Sequence, residues 1–287
     1  MWSILYMWYG TISEHMLTFL KAKILLILHA MFYRDRLDSS GEMYRPAGLN
    51  LLTSRFNQYL IEKGYSPAWI WSEDDCRRFW STEVNQYDNS NEPQQYSSKS
   101  TELIEFMAKF WEPHVQSEYK VLELGCNAGA NLETLRLLGF TRLAGMEINA
   151  EAVKLMSSVF PDLYSNINVH IGSLEHQLPL LTTDSSDVIF TMAVLMHVHP
   201  KSKRIFSEMV RVSRRYIVTV EPEFANYGYV FARNYSRIFQ RLGCKQLNSV
   251  TLGIDVTDDA IADYHGIVLR LFSVPNKKSI SLNKTES

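Results

Sequence analysis

From about residue 100 the chain alternates between short apolar runs and segments whose apolar positions recur every three or four residues. Thr101 to Trp111 places Leu103, Ile104, Phe106 and Met107 along one side of a helix. Apolar runs at 119–124, 142–147, 167–172, 187–192 and 215–221 predict strands. Helices are expected between them, at about 130–138, 150–158, 174–178 and 201–212. Strands separated by helices make a parallel sheet with right-handed crossovers, so the fold class is α/β and doubly wound. A helix near 228–242 then precedes two more runs, Lys245–Leu252 and Gly266–Val274, joined by the acidic stretch Asp255–Asp263.

The first hundred residues follow another pattern. Met1 to Tyr33 is rich in Trp, Tyr, Leu and Ile. The part free of formal charge after Lys23 is ten residues long, against the ~20 that span a bilayer. A helix packed on the catalytic domain or on a partner is favoured there; membrane contact through residues 16–33 and translated sequence upstream of a later start are the alternatives. Residues 34–48 are polar and turn-rich, as a linker is. Leu51–Lys63 has helical spacing, and Ser72 is placed to cap a helix that begins with Glu73, Asp74 and Asp75. The expected division is a mostly helical extension or lid over 1–99, a catalytic domain over 100–276 and a polar tail over 277–287.

Net charge is −2, which gives no broad basic surface for phosphate neutralisation and argues against a nucleic-acid partner. Cys76, Cys126 and Cys244 are scattered, with no metal or redox spacing, so a reducing cytoplasm and no metal requirement are expected.

The chemistry concentrates in Val121-Leu-Glu-Leu-Gly-Cys-Asn-Ala-Gly-Ala-Asn-Leu132, a strand, a glycine turn and a helix start. Glu147 follows the last glycine by eighteen positions and closes the next apolar run. An acid there accepts hydrogen bonds from two ribose hydroxyls. A dinucleotide loop needs Gly-x-Gly-x-x-Gly to seat a pyrophosphate. Here Asn127 stands at the middle glycine, and Glu123 two places before Gly125 would repel phosphate and suit a cation. Asn127 tolerates the left-handed turn conformation.

At these residues the chain resembles the class I S-adenosylmethionine-dependent methyltransferases, whose first motif in one variant reads Glu-x-Gly-x-Asn-x-Gly. The resemblance covers roughly residues 100–273, in line with the ~100–200 residues usual for one domain. It implies a Rossmann-like, seven-stranded sheet with an antiparallel last strand, S-adenosylmethionine as cofactor and S-adenosylhomocysteine as product. It implies cofactor contacts from Glu123, Gly125, Cys126, Asn127, Gly129, Asn131, Glu147, Ile148, Ser173, Leu174, Thr191 and Met192. Cys126 also reads as a small apolar filler beside the turn. Many members carry an acid where Ser173 stands, and serine accepts from the adenine amino group more weakly.

On the acceptor side, His197 in Leu195-Met-His-Val198 is the candidate base, with a wall residue as the equal alternative. Glu221, Glu223 and Tyr227 follow the fifth strand; the acids either orient an acceptor or pair with Arg233 or Arg237. Several segments, among them Met146-Glu-Ile-Asn149, Phe190-Thr191 and Arg215-Tyr-Ile217, resemble bacterial methylases accompanying sialic-acid-like sugar biosynthesis. The implied activity is O- or N-methylation of a small polar metabolite or sugar. The alternatives are a protein or lipid-linked glycan methyltransferase recruited by the N-terminal helix, and a non-catalytic partner subunit. A homo-oligomer stays open.

Overall fold

The computed structural model describes residues 72–81, 92–97, 102–223, 226–227, 230–231, 233–256, 261, 264 and 266–276. The chain divides into two compact units, Met1–Asn57 and Gln58–Ser287, and every described residue belongs to the second. The expectations for 1–63 and for the tail lie outside the described residues.

The first described element is α1 (Glu73–Ser81), followed by a 3-10 turn at Pro93–Tyr96 and α2 (Glu102–Trp111). Ser72 does cap α1: its hydroxyl accepts from Asp75 N at 3.1 Å, and it donates to the Asp75 carboxylate at 2.7 Å. The alternating part then runs β1 (Val121–Leu124), α3 (Ala130–Leu137), β2 (Leu143–Glu147), α4 (Ala150–Val159), the short α5 (Pro161–Tyr164) and β3 (Asn168–Ile171). It continues through α6 (Leu174–Gln177), β4 (Ser186–Met192), α7 (Arg204–Val212) and β5 (Ser213–Pro222). A two-stranded ribbon, β6 (Asn226–Tyr227) and β7 (Val230–Phe231), leads to α8 (Tyr235–Arg241), β8 (Lys245–Thr251) and β9 (Ile267–Ser273).

Seven strands form one sheet in the order β3-β2-β1-β4-β5-β9-β8. The first five are parallel, and β9 inserts antiparallel between β5 and β8. The strands of the centre bury both faces by alternation. Val121, Val188, Phe190, Val218 and Val220 join Leu103, Met107 and Trp111 of α2 in one core. Leu122, Leu124, Ile189 and Ile217 join Phe206 and Met209 of α7 and Phe239 of α8 in the other. Each fully buried side chain of this size contributes roughly 1.5–3 kcal/mol of transfer free energy. The near-continuous apolar runs of the parallel strands reflect this two-sided burial.

The last expected helix differs from its sequence reading. It starts at Tyr235, not near 228, because Asn234 accepts from Arg237 N at 2.8 Å and caps it there. The residues before it make the ribbon instead.

Candidate functional site

The parallel strands end on one edge of the sheet, and a cleft of about 310 Å³ opens there. The turn after β1 builds one wall. Gly125, Asn127 and Gly129 take φ of 75°, 46° and 84°, so three of five consecutive residues are left-handed. A Cβ on Gly125 would stand 2.4 Å from Val194 Cγ2, and one on Gly129 would stand 2.8 Å from Met156 Cγ. Both glycines therefore allow close packing against neighbouring elements.

Glu147 is buried at the end of β2 and straps this turn. Its carboxylate accepts from Asn127 N and Asn149 N, each at 2.8 Å. Glu123 is wholly buried. One of its oxygens accepts from Asn131 Nδ2 at 2.6 Å; the other has no hydrogen-bond partner among the described residues. Burial pushes the Glu123 carboxyl up to about 8 and raises that of Glu147, and the nearby Glu147 charge raises Glu123 further.

Of the residues expected to meet a cofactor, Gly125, Cys126, Asn127, Asn131, Glu147, Ile148, Ser173, Leu174 and Met192 line the cleft together. Glu123, Gly129 and Thr191 stand behind its surface. Asn131 is the cleft-lining group that reaches back to Glu123. Burial pushes the Cys126 thiol up, which suits the filler reading. Ser173 is paired within its own turn, 3.2 Å from His176 Nδ1.

The residues after β4 form the opposite wall. Ala193 holds φ 53°, a strained value for alanine that places it among the lining residues. His197 lines the cleft with its ring 4.3 Å from that of Trp80, the planes 49° apart. His199 is buried, and its Nδ1 accepts from Lys201 N at 3.2 Å, so the proton of the neutral ring sits on Nε2. Burial lowers this imidazole to about 4.

Glu221 does not face the cleft. Its wholly buried carboxylate accepts from Thr191 Oγ1 at 2.9 Å, from Val194 N and Leu195 N at 3.0 Å, and from Met196 N at 3.3 Å. The sequence offered it Arg233 or Arg237 as a partner; the structure gives it a backbone turn. Glu223 pairs with neither arginine but bidentately with Arg270, at 2.6 and 2.9 Å. Tyr227 lies in β6, and its side chain is outside the described set.

The sequence reading missed α1 as a wall. Glu73, Cys76, Arg77 and Trp80 line the cleft, as do Leu103, Tyr264 and Ile267. Their contacts bridge long stretches of chain, such as Ser202 Oγ donating to Glu73 at 2.9 Å. The one local signal was the amphipathic, capped helix itself.

Residues 122–216 match the model of a family described as a methyltransferase domain. The matched stretch is a methyltransferase domain, and the sheet has the strand order of the class I methyltransferase fold. Among solved structures, it is similar to an S-adenosylmethionine-dependent methyltransferase from Mesorhizobium loti at 13% identity, with 62% of this chain and 99% of that one covered and a TM-score of 0.48. It is similar to a methyltransferase from Archaeoglobus fulgidus at 14% identity, covering 63% and 96%, TM-score 0.46. It is also similar to geranyl diphosphate C-methyltransferase from Streptomyces coelicolor, solved with Mg²⁺, geranyl diphosphate and S-adenosylhomocysteine, at 11% identity, covering 70% and 96%, TM-score 0.48. No curated protein matches the sequence. The resemblance to methylases of sialic-acid-like sugar pathways finds no support among these matches.

Among the described residues no group of three or more His, Cys, Asp or Glu side chains is placed to hold a metal ion. No helix among them is long and apolar enough to cross a membrane.

Proposed function

We propose that the protein transfers a methyl group from S-adenosylmethionine to an oxygen or nitrogen of a small polar acceptor, in the cytoplasm and without a metal. The observation that carries this reading is the pair of buried carboxylates, Glu123 and Glu147, on one glycine turn. Two acids with raised proton affinity and one oxygen lacking a donor suit a cationic, hydroxyl-rich ligand and oppose a pyrophosphate. When bound, the cofactor supplies a methyl group on a sulfonium, which leaves as the acceptor's lone pair forms its bond to carbon.

The chain's own residues do the rest. Glu147 accepts from the ribose hydroxyls. Asn131, backed by Glu123, meets the ammonium end. Ile148, Ser173 and Leu174 hold the adenine. Met192 and Ala193 form the wall beside the reacting carbon, with Thr191 behind them, and His197 takes the acceptor's proton. Glu221 acts through the turn that carries His197. The experiment is a calorimetric titration with S-adenosylmethionine, followed by product release assays against metabolite pools. Absence of cofactor binding below millimolar concentration sinks the proposal.

A further inference from the structure

The strand order fixes which way a nucleoside runs across the cleft. β4, β1, β2 and β3 stand side by side, with neighbours ~4.8 Å apart. With the ammonium at Asn131 and Glu123 beside β1 and the ribose at Glu147 on β2, the base extends over the exit of β3. That exit is tied to Glu147 directly. Ile171 pairs in register with Glu147, and Gly172 N donates to the Glu147 carbonyl at 2.7 Å. Gly172, Ser173, Leu174 and Glu175 line the cleft there.

The polar side chains of this exit are engaged locally, except one. Ser173 Oγ lies 3.2 Å from His176 Nδ1, and Gln177 donates to the Ile171 carbonyl at 3.0 Å. Among the described residues neither a hydrogen bond nor an ion pair reaches the Glu175 carboxylate. Opposite it stands α1, an element outside the matched stretch 122–216. Arg77 of α1 lines the same cleft. Burial lowers the Arg77 guanidinium, while its bond to Asp74 and the charge of Glu175 raise it. The Cys76 thiol beside it is pushed up by burial, then by Asp75 and Glu175. Glu175 and Arg77 thus face each other closely enough for their charges to interact, without an ion-pair contact. Arg77 meets Asp74 at 2.6 Å through one nitrogen, which leaves its other N–H groups to donate.

An ionised carboxylate only accepts hydrogen bonds, and a guanidinium only donates them. Adenine presents the complement on one edge: an amino group that donates, flanked by ring nitrogens that accept. We infer that Glu175 and Arg77 read the adenine of the cofactor, Glu175 accepting from the exocyclic amino group and Arg77 donating to a ring nitrogen beside it. The inference rests on the methyl-transfer reading above. It makes α1 a part of the cofactor site, supplied from outside the methyltransferase domain proper.

The test is calorimetric titration of the full chain with S-adenosylhomocysteine and three analogues. One has hydrogen in place of the amino group; the 1-deaza and 7-deaza analogues have CH in place of either flanking ring nitrogen. Absence of binding by S-adenosylhomocysteine itself strikes the methyltransferase reading, and the comparisons among ligands strike only this inference. The amino-less analogue and one deaza analogue should each bind roughly ten-fold more weakly than the parent. Glu175→Ala should weaken the parent to the level of the amino-less analogue and bind the two alike. Arg77→Met should do the same for the parent and that deaza analogue. A pair that only braces the mouth of the cleft would instead lower all four affinities in proportion and leave their ratios in place. The inference is overturned if the unaltered protein binds the amino-less analogue, or both deaza analogues, as tightly as the parent, a result that needs no variant to fold. It is overturned equally if folded Glu175→Ala and Arg77→Met proteins keep the unaltered ratios.

Discussion

Glu221 and Arg233 grip the same turn from opposite sides. The carboxylate takes the N–H groups of Val194, Leu195 and Met196. The guanidinium donates to the carbonyl of Leu195 at 2.7 Å and to that of Val198. Both side chains are buried, and their opposite charges attract across the peptide groups they hold. Together they fix the strained Ala193 and aim His197 at the cleft. The strain is held in place because both ends of the turn are over-determined.

Breaking this grip should cost stability. Arg233→Met leaves the Glu221 charge buried without its counterpart and removes donors from two carbonyls. A loss of roughly 3–5 kcal/mol is expected, the usual result of removing one partner of a buried charge pair. Denaturant unfolding of the two forms measures it. A loss under about 1 kcal/mol, the size of an exposed pair, would contradict the arrangement.

Gly125 and Val194 make a second local prediction. Gly125→Ala adds a methyl 2.4 Å from Val194 Cγ2 at a φ of 75°. The substitution should destabilise by about 1–3 kcal/mol from backbone strain alone. Gly125→Ala with Val194→Ala should relieve the clash and keep the strain, so a double-mutant cycle separates the two parts.

Two buried acids set the pH dependence. Burial raises Glu123 to about 8 and Glu221 to about 7. For groups raised in the folded state, the stabilising contribution is complete below the ordinary carboxylate range and is lost as pH rises through 7 to 8. Thermal stability should therefore fall across this window, and Glu123→Gln should flatten the upper part of the fall. In the cofactor complex, an ammonium near Asn131 favours the ionised acid. Cofactor binding at pH 7 should then release protons and tighten as pH rises, and Glu123→Gln should abolish both effects. Calorimetry in buffers of different ionisation enthalpy reads the proton count.

Legibility in the sequence depended on how local each feature is. The turn of Gly125, Asn127 and Gly129 and the acid Glu147 lie within a single strand-turn-helix-strand unit, so spacing alone revealed them. Two apolar runs after α8 marked the last two strands, and the antiparallel insertion of β9 was implied only by the resemblance to the class I fold. The cleft face of α1 was not, since the pairing of Glu73 with Ser202 spans 129 positions. The role of Glu221 depends on the register that sets Met192 beside Val220, which no linear pattern encodes. The last helix was read too long because the cap at Asn234 competes with an apolar stretch that also suits a ribbon.

His197 distinguishes catalysis from packing. As a base, its loss in His197→Ala should cut turnover by ~10²–10⁴-fold and leave cofactor affinity in place. As a brace for Trp80, its loss should lower stability and acceptor affinity and leave the shape of the pH–rate profile unchanged. Rates against pH for both proteins, with unfolding curves alongside, decide between them.

Everything proposed for the cleft depends on the turn of Gly125 to Gly129, with Glu147, holding S-adenosylmethionine. The decisive measurement is calorimetric titration of the protein and of Glu147→Ala with S-adenosylmethionine, S-adenosylhomocysteine and NAD. Binding of the first two and none of NAD is expected, with Glu147→Ala weaker by roughly 1–3 kcal/mol for hydrogen bonds to a charged group. Clear NAD binding, or a folded Glu147→Ala protein with undiminished cofactor affinity, would contradict it.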